Sequence, residues 1–153
     1  DMVDTEDGTT KFYDQTMRDS KKGGYGKISI KESFIKSSNV AISKEINRAY
    51  AANPKRFVDR LYKMDLNKKL GIEIAGEGSP LIKSTDDDSW SGVTIPWMSI
   101  GYEIQMTPLQ ILTFYNAVAN DGKMVKPRFV SEVRQSGKLV KKYVDDKIGK
   151  LIF

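Results

Sequence analysis

Residues 37–44 read SSNVAISK and lie where one predicted helix ends and the next begins. Ahead of them, the apolar residues Ile30, Phe34 and Ile35 recur at helical spacing and predict a short helix with one buried face. Behind them, apolar residues recur with the same period over residues 40–50 and predict a longer helix. The serine pair therefore predicts a tight junction between two helices in the first half of the chain.

Ser37 and Asn39 place a hydroxyl and a carboxamide two residues apart at this junction. Both groups are able to face one cleft and to bind a polar substrate there. Serine and asparagine are also among the residues that most often cap the first turn of a helix. Taken alone, this short pattern is more often a helix cap, so the binding interpretation needs support from elsewhere in the chain.

A second informative stretch lies far downstream, where residues 100–110 read IGYEIQMTPLQ. Thr107 is a good helix cap, Pro108 suits the first helical position, and Gln110 is placed to close a capping box. Apolar side chains point in most directions along the helix predicted for residues 107–121. We therefore expect this helix to be buried nearly all round.

Two further regions predict little regular structure. Residues 1–29 are rich in Asp, Gly, Thr and Lys, and they predict extended or looped chain with one short strand at most. Residues 71–98 are interrupted by Gly and Pro and predict a long irregular connection, which is uncommon in a compact domain unless it lines a site or binds a partner. Trp90 and Trp97 are expected to pin this connection to the core.

The C-terminal part of the chain predicts a β-hairpin. Apolar segments precede and follow the turn residues 135–138, and the second segment extends to Val144. Together with the helices, this hairpin makes the predicted fold class α+β and mainly helical. The sequence thus divides into a loop or strand lead-in (1–29), a helical region that includes the irregular connection (30–122), and a hairpin with its tail (123–153).

Composition limits the chemistry that this chain is able to perform. The 153 residues are 39% hydrophobic and 29% charged, which is ordinary for a folded domain. Cysteine and histidine are both absent, so disulfides, thiolate zinc sites and a Ser-His-Asp triad are excluded. We predict neither a metal nor a cofactor, and any acyl transfer has to use lysine or a carboxylate as its base.

The net charge of +5 is unevenly distributed along the chain. Residues 123–153 carry nine basic and three acidic side chains, which leaves a nucleic-acid interface as one alternative. No aromatic stacking pattern accompanies these lysines, so a solvated hairpin edge is preferred and no nucleic-acid partner is predicted. No apolar run approaches the ~20 residues that a membrane-spanning helix needs.

Several segments are informative through their order and separation. Residues 30–40 read IKESFIKSSNV, a short helix that runs into Ser-x-Asn. Far downstream, GYE at residues 101–103 is followed by TPLQ at residues 107–110 and by YNAVANDG at residues 115–122. In this order the segments resemble the class B penicillin-binding proteins, the monofunctional, division-type D,D-transpeptidases that cross-link peptidoglycan. The resemblance spans roughly residues 25–145 and implies part of the penicillin-binding and β-lactamase-like transpeptidase fold.

The resemblance implies an active site built from three motifs, Ser-x-x-Lys, Ser-x-Asn and Lys-Thr-Gly. In such a site the serine of the first motif attacks the carbonyl of a D-Ala-D-Ala stem peptide, and the lysine one turn further on is the base. By the same resemblance Ser37 relays a proton to the leaving amine and Asn39 binds the substrate amide, so both are catalytic and substrate-binding residues. Neither Lys-Thr-Gly nor Lys-Ser-Gly occurs in the 153 residues.

One literal match to Ser-x-x-Lys, from Ser33 to Lys36, is not taken as the first motif. Serine and lysine are so abundant in this chain that one such match is expected by chance. Ser33 and Ser37 also lie four residues apart on what the sequence predicts to be one helix, whereas the nucleophile of the family comes from a separate helix across the cleft. The nucleophile is therefore expected outside this chain.

The resemblance further implies that residues 1–153 are an internal part of a transpeptidase domain and that this part alone is inactive. The implied partners of the whole protein are the peptidoglycan stem peptide, β-lactam antibiotics and cell-division proteins. The implied location is periplasmic, outside the cytoplasmic membrane, with the whole protein anchored in that membrane. The alternative from another functional class is a non-catalytic helical interaction module that kept the fold and lost the chemistry.

Overall fold

The structure is a computed structural model that describes residues 1–143 and 147–152, with the backbone alone described for 147–151. Its helices are α1 (Ile30–Ile35), α2 (Asn39–Tyr50), α3 (Pro54–Lys63), α4 (Thr94–Met98) and α5 (Pro108–Ala119). Its strands are β1 (Met2–Asp4), β2 (Thr9–Phe12), β3 (Gln15–Arg18), β4 (Lys27–Ser29), β5 (Leu81–Ile82), β6 (Ile104–Gln105), β7 (Lys123–Val125), β8 (Glu132–Gln135), β9 (Lys138–Lys142) and β10 (Lys147–Leu151). Within the described ranges, no helix has the length and apolar character needed to cross a bilayer.

The chain divides into two compact units. The first consists of Asp1–Asp59 and Ile82–Ile104, and the second consists of Arg60–Leu81 and Gln105–Phe153. The serine–asparagine junction lies in the first unit, whereas helix α5 and the C-terminal hairpin lie in the second. Each unit has buried hydrophobic residues of its own.

Four short strands form two antiparallel pairs in the first unit. Strand β1 pairs with β4, which places Val3 opposite Ile28, and both side chains are buried against Ala41 of α2. Strands β2 and β3 form a hairpin whose Phe12 and Met17 are buried beside the start of α2. The prediction of one short strand at most in this region was wrong, because strands of three or four residues are too short to show a clear alternation of apolar and polar positions.

Helix α1 starts with a capping box. The hydroxyl of Ser29 accepts a hydrogen bond from the N–H of Glu32 at 3.2 Å, and the Glu32 carboxylate accepts one from the N–H of Ser29 at 2.9 Å. The Ser29 N–H, and after it the Ser29 hydroxyl, hold the pKa of the Glu32 carboxyl below its usual range because both donate to the charged form. These bonds fix where α1 begins.

The apolar residues of α1 are not buried as the sequence pattern predicts. Ile30, Phe34 and Ile35 are exposed, and the buried residue of the helix is Ser33. A helix of six residues has fewer than two turns. Its orientation therefore follows from the capping box and from strand β4 rather than from its apolar stripe. The predicted helix is present, but its predicted buried face was wrong.

Two glycines bring separate loops of the first unit into backbone contact. Gly8 has a φ of +83° and Gly24 a φ of +69°, both in the left-handed region that favours glycine. A Cβ atom on Gly24 would lie 2.6 Å from the Gly8 nitrogen and 2.7 Å from the Glu6 carbonyl oxygen. The Gly8 carbonyl also accepts a hydrogen bond from the N–H of Asp19 at 2.8 Å, so this contact positions the residue that follows strand β3.

The irregular connection contains only the two-residue strand β5 and the short helix α4 between Gly71 and Met98. Trp97 packs edge-on against Phe12, with ring centroids 6.2 Å apart and an interplanar angle of 82°. It therefore pins the connection to the core, as the sequence predicts. Trp90 is half-buried.

Helix α5, in the second unit, begins with the predicted capping box. The Thr107 hydroxyl accepts from the N–H of Gln110 at 3.2 Å, and the Gln110 side chain accepts from the N–H of Thr107 at 2.7 Å. Pro108 occupies the first turn, where its missing N–H costs no hydrogen bond. Gln110 is itself buried and donates to the Lys68 carbonyl at 3.3 Å. The predicted start of this helix is confirmed.

The expectation that α5 is buried nearly all round was wrong for the residues that the structure describes. Ala117 is buried with Met124 and Ile152, and Phe114 packs against them. Four large apolar side chains of the helix are exposed, namely Ile111, Leu112, Tyr115 and Val118. Apolar residues on every face allow a helix to be buried on all sides. Whether each face is buried depends on which other elements pack against it.

The C-terminal hairpin lies where the sequence predicts it. Strands β8 and β9 pair antiparallel. Ser136 and Gly137 join them with φ values of +50° and +79°, as a tight two-residue turn requires. Val144, which the sequence places in the second strand, lies outside the described residues.

Candidate active-site junction

The chain passes from α1 to α2 through a Schellman motif, the common C-terminal turn of helices. The N–H of Ser37 donates to the Phe34 carbonyl at 3.1 Å, and the N–H of Ser38 donates to the Ser33 carbonyl at 2.9 Å. Ser37 occupies the left-handed position of this motif, with a φ of +50°, where glycine is the usual residue. A side chain at this position costs roughly 1–2 kcal/mol, and strain of this kind clusters at functional sites.

The hydroxyl of Ser37 is available for chemistry. Ser37 is exposed, and in the described part of the chain its hydroxyl forms no hydrogen bond. The backbone bonds of the Schellman motif fix the position of the residue without using its side chain. A free hydroxyl on a fixed backbone is able to accept one proton and donate another.

The helix cap at this junction is Ser38 rather than Ser37 or Asn39. Ser38 is fully buried; its hydroxyl accepts from the N–H of Ala41 at 3.1 Å and donates to the Asp19 carboxylate at 3.0 Å. Asp19 also accepts from the N–H of Val40 at 2.9 Å. Because the middle residue does the capping, the capping interpretation and the binding interpretation concern different residues and are compatible.

Asn39 is the first residue of α2 and is half-buried. Its side-chain nitrogen donates to the Arg18 carbonyl at 2.9 Å. Its side-chain oxygen accepts no hydrogen bond from any residue that the structure describes. The carboxamide is thus held at one end and free to accept a hydrogen bond at the other.

The structure gives Ser33 no access to a substrate. Ser33 is 1% exposed, and its hydroxyl donates to the Ser29 carbonyl at 2.8 Å. Lys36 lies beside an aromatic ring, with its ammonium nitrogen 5.5 Å from the centroid of Tyr25. The prediction that Ser33 and Ser37 share one helix was wrong, since α1 ends at Ile35 and Ser37 adopts a left-handed conformation. Burial and hydrogen bonding, rather than helical spacing, disqualify Ser33.

Asp19 is the residue of this junction that the sequence does not reveal. It lies 19 residues before Ser38, and no local pattern links a carboxylate at the end of strand β3 to a later helix cap. Together, Asp19 and Ser38 position the junction, while Ser37 and Asn39 each present one free polar atom. Over the described ranges, no group of three or more His, Cys, Asp or Glu side chains is arranged to hold a metal ion.

Replacing Asp19 by alanine is expected to destabilise the protein by about 1–3 kcal/mol, because the buried Ser38 hydroxyl then has no acceptor. Asp19→Asn keeps an acceptor oxygen and should cost less. Urea denaturation measures both effects. Asp14→Ala is the control, since Asp14 is exposed and, among the described residues, its side chain bonds only to its neighbour Gln15. Equal stability of the Asp19→Ala and Asp14→Ala variants would show that the Asp19 bonds contribute nothing.

Residues 2–152 match the family profile described as "Penicillin binding protein transpeptidase domain". The chain is 33% identical over 123 residues to the penicillin-binding protein PbpB of Mycobacterium tuberculosis, which covers 80% of this chain and 17% of that protein. It is 28% identical over 109 residues to the peptidoglycan D,D-transpeptidase FtsI of Escherichia coli, which covers 71% of this chain and 18% of that protein. The chain therefore spans less than a fifth of the length of these two curated relatives.

Among solved structures, the chain is similar to penicillin-binding protein 3 of Mycobacterium tuberculosis in complex with ampicillin. The TM-score is 0.73 at 31% sequence identity, over 93% of this chain and 30% of that chain. The transpeptidase domain of penicillin-binding protein 3 from Burkholderia pseudomallei has a TM-score of 0.76 at 18% identity, over 100% of this chain and 41% of that chain. These likenesses confirm the fold class predicted from the sequence.

Proposed function

This chain belongs to the penicillin-binding protein transpeptidase family, and we propose that it forms the middle wall of the active-site cleft in a serine-type peptidoglycan D,D-transpeptidase. The family match over residues 2–152 carries this proposal. The activity is proposed for the whole protein, because the chain spans under a fifth of the relatives' length. The junction at Ser37 and Asn39 is the part of the active site that lies within this chain.

In the proposed reaction the nucleophilic serine and its lysine base come from outside the 153 residues. The serine oxygen bonds to the carbonyl carbon of the penultimate D-Ala, and the C–N bond to the terminal D-Ala breaks. The proton of the serine hydroxyl passes through the lysine and the Ser37 hydroxyl to the departing amine. The amine of a second stem peptide then attacks the acyl-enzyme, and the serine oxygen recovers a proton as the ester bond breaks.

The polar groups that the junction leaves free support these roles. The Ser37 hydroxyl has no partner among the described residues, as a proton relay requires before the substrate binds. The Asn39 nitrogen is held by the Arg18 carbonyl, so its free oxygen is oriented to accept from a substrate N–H or from the lysine ammonium. Asp19 and Ser38 act through these two residues and are positioning residues.

We extend the proposal to β-lactams, whose strained amide reacts with the same serine and leaves an acyl-enzyme. The ampicillin complex of the Mycobacterium tuberculosis relative supports this extension. For the whole protein we further propose a membrane anchor, a location outside the cytoplasmic membrane, and work with cell-division proteins on D-Ala-D-Ala stem peptides. The 153 residues alone are proposed to be inactive, because Lys-Thr-Gly is absent from their sequence and Ser33, the serine of their literal Ser-x-x-Lys match, is buried.

Labelling with a fluorescent penicillin tests the proposal. The full-length product of the gene should become covalently labelled, and the isolated 153-residue chain should not. Unlabelled full-length protein that is correctly folded would favour the non-catalytic module instead. Labelling of the isolated chain that disappears in its Ser33→Ala variant would show that the literal Ser-x-x-Lys match is the nucleophile after all.

A further inference from the structure

A second cleft lies in the first unit, on residues to which the transpeptidase reaction gives no role. It has a volume of about 360 Å³, within the range of small-ligand sites. The residues that line it include the aromatic residues Tyr13 and Trp90 and the polar residues Asn47 and Ser91. No charged side chain of the residues that the structure describes lines it. The cleft therefore combines aromatic surfaces with neutral hydrogen-bonding groups.

Tyr13 reaches this cleft at a cost in backbone strain. It lies in the two-residue turn between β2 and β3, with a φ of +56°, which is a genuine outlier for a bulky residue. Its side chain does not stabilise the turn by burial, because Tyr13 is 79% exposed. A strained position that holds an exposed aromatic ring points to a function for that ring.

Gly92 makes room for this ring. A Cβ atom on Gly92 would lie 2.2 Å from a carbon of the Tyr13 ring, so any larger residue would displace the tyrosine. The φ of Gly92 lies outside the left-handed region, so the backbone there does not require glycine. The close approach of the Tyr13 ring is the evident reason for glycine at this position.

The polar groups around the cleft are available to a ligand. In the described part of the chain, neither the Asn47 carboxamide nor the Ser91 hydroxyl forms a hydrogen bond. The same holds for the indole N–H of Trp90. The backbones of the last two residues are nevertheless fixed, since the N–H of Ser91 donates to the Thr94 hydroxyl at 3.1 Å and the N–H of Trp90 to the Asp87 carbonyl at 2.8 Å.

We propose that this cleft binds a neutral saccharide, and that its ligand in the cell is the glycan strand of peptidoglycan. Aromatic rings pack against the apolar C–H faces of a pyranose ring, and a carboxamide and a hydroxyl pair with its hydroxyl and acetamido groups. A peptide segment bearing carboxylates or an ammonium would find no counter-charge in the lining. The identification of the saccharide as the glycan strand rests on the proposed transpeptidase function, whereas the saccharide site itself does not.

Isothermal titration of the full-length protein with a tetramer of β-1,4-linked N-acetylglucosamine tests this proposal. Tyr13→Gly and Trp90→Ala should each weaken binding about tenfold, because each removes one stacking surface. Gly92→Ala should also weaken binding, since its new methyl group displaces the Tyr13 ring. Tyr115→Ala is the matched control, because Tyr115 is an exposed tyrosine that does not line this cleft. Its affinity should remain within about twofold of the parent protein.

The melting temperature and the acylation of the protein by penicillin distinguish the possible outcomes. Tyr13→Gly relieves the left-handed strain, so its melting temperature should not fall and weaker binding cannot be attributed to misfolding. No saccharide binding by protein that acylates penicillin normally overturns the saccharide site and leaves the transpeptidase proposal intact. The same conclusion follows if the Tyr13→Gly and Gly92→Ala variants bind the saccharide as tightly as the parent protein does. A third outcome is that the Tyr13 and Trp90 substitutions weaken saccharide binding but penicillin does not acylate the protein. This outcome supports the saccharide site and contradicts the transpeptidase proposal.

Discussion

Replacing Ser37 by glycine in the full-length protein is expected to lower the rate of penicillin acylation by about 10²- to 10⁴-fold without lowering the melting temperature. The hydroxyl that relays the proton is lost, which removes general acid–base assistance. Ser37 has a φ of +50° at the left-handed position of a Schellman motif, and glycine suits that position better than serine. The substitution therefore tests the effect of the hydroxyl on the acylation rate without a loss of stability.

Ser136→Gly is the matched control for this experiment. Ser136 also has a φ of +50°, is exposed and lies in the turn of the C-terminal hairpin. The same substitution relieves the same backbone strain at a position outside the proposed active site. Stopped-flow acylation and thermal unfolding would be measured on both variants. Acylation of the Ser37→Gly variant within about threefold of the parent rate would contradict the relay role.

Replacing Gly24 by alanine is expected to destabilise the protein by about 2–5 kcal/mol. Part of this cost is the left-handed φ of +69°, which a side chain disfavours. The rest is overlap, since the added Cβ atom would lie 2.6 Å from the Gly8 nitrogen and 2.7 Å from the Glu6 carbonyl oxygen. Both neighbours are backbone atoms, so they are unable to move aside as the end of a long side chain does.

Gly23→Ala separates the two parts of this cost. Gly23 has a φ of +84°, but no atom of the described residues lies within 4 Å of where its Cβ atom would be. Only the conformational cost of roughly 1–2 kcal/mol should therefore appear in this variant. Urea denaturation measures both variants, and equal losses would show that the contact between Gly8 and Gly24 does not matter. Because the Gly8 carbonyl also binds the N–H of Asp19, Gly24→Ala should disturb the Ser38 cap as well.

The family and the fold class were both predicted from the sequence, and the comparisons confirm both. Both predictions depended on the order of the segments from Ser-x-Asn to TPLQ. The structural roles of the site residues were predicted less well. The sequence suggested that the Ser-x-Asn stretch caps a helix, but it did not show that Ser38 alone does so. The catalytic role of Ser37 remains a prediction that the Ser37→Gly substitution tests, and the role of Asn39 in binding the substrate also remains a prediction.

Features that join residues close together along the chain were predictable from residue types. The capping box of Thr107 and Gln110 and the turn of Ser136 and Gly137 join residues at most three positions apart. Such bonds depend on neighbours along the chain, so the residue types alone predict them. The capping box of Ser29 and Glu32 belongs to the same class, because its Ser-x-x-Glu signature is local as well.

Contacts between segments that are distant in the sequence depend on the three-dimensional path of the chain. Asp19 bonds to Ser38 across 19 residues, Gly8 meets Gly24 through backbone atoms, and the exposed faces of α1 and α5 depend on what packs beside them. Hydrophobic periodicity shows which faces of a helix are able to be buried, but the path of the chain determines which face is buried. The left-handed backbone of Ser37 arises in the same way, because the Schellman motif that holds it depends on how α1 ends and α2 begins.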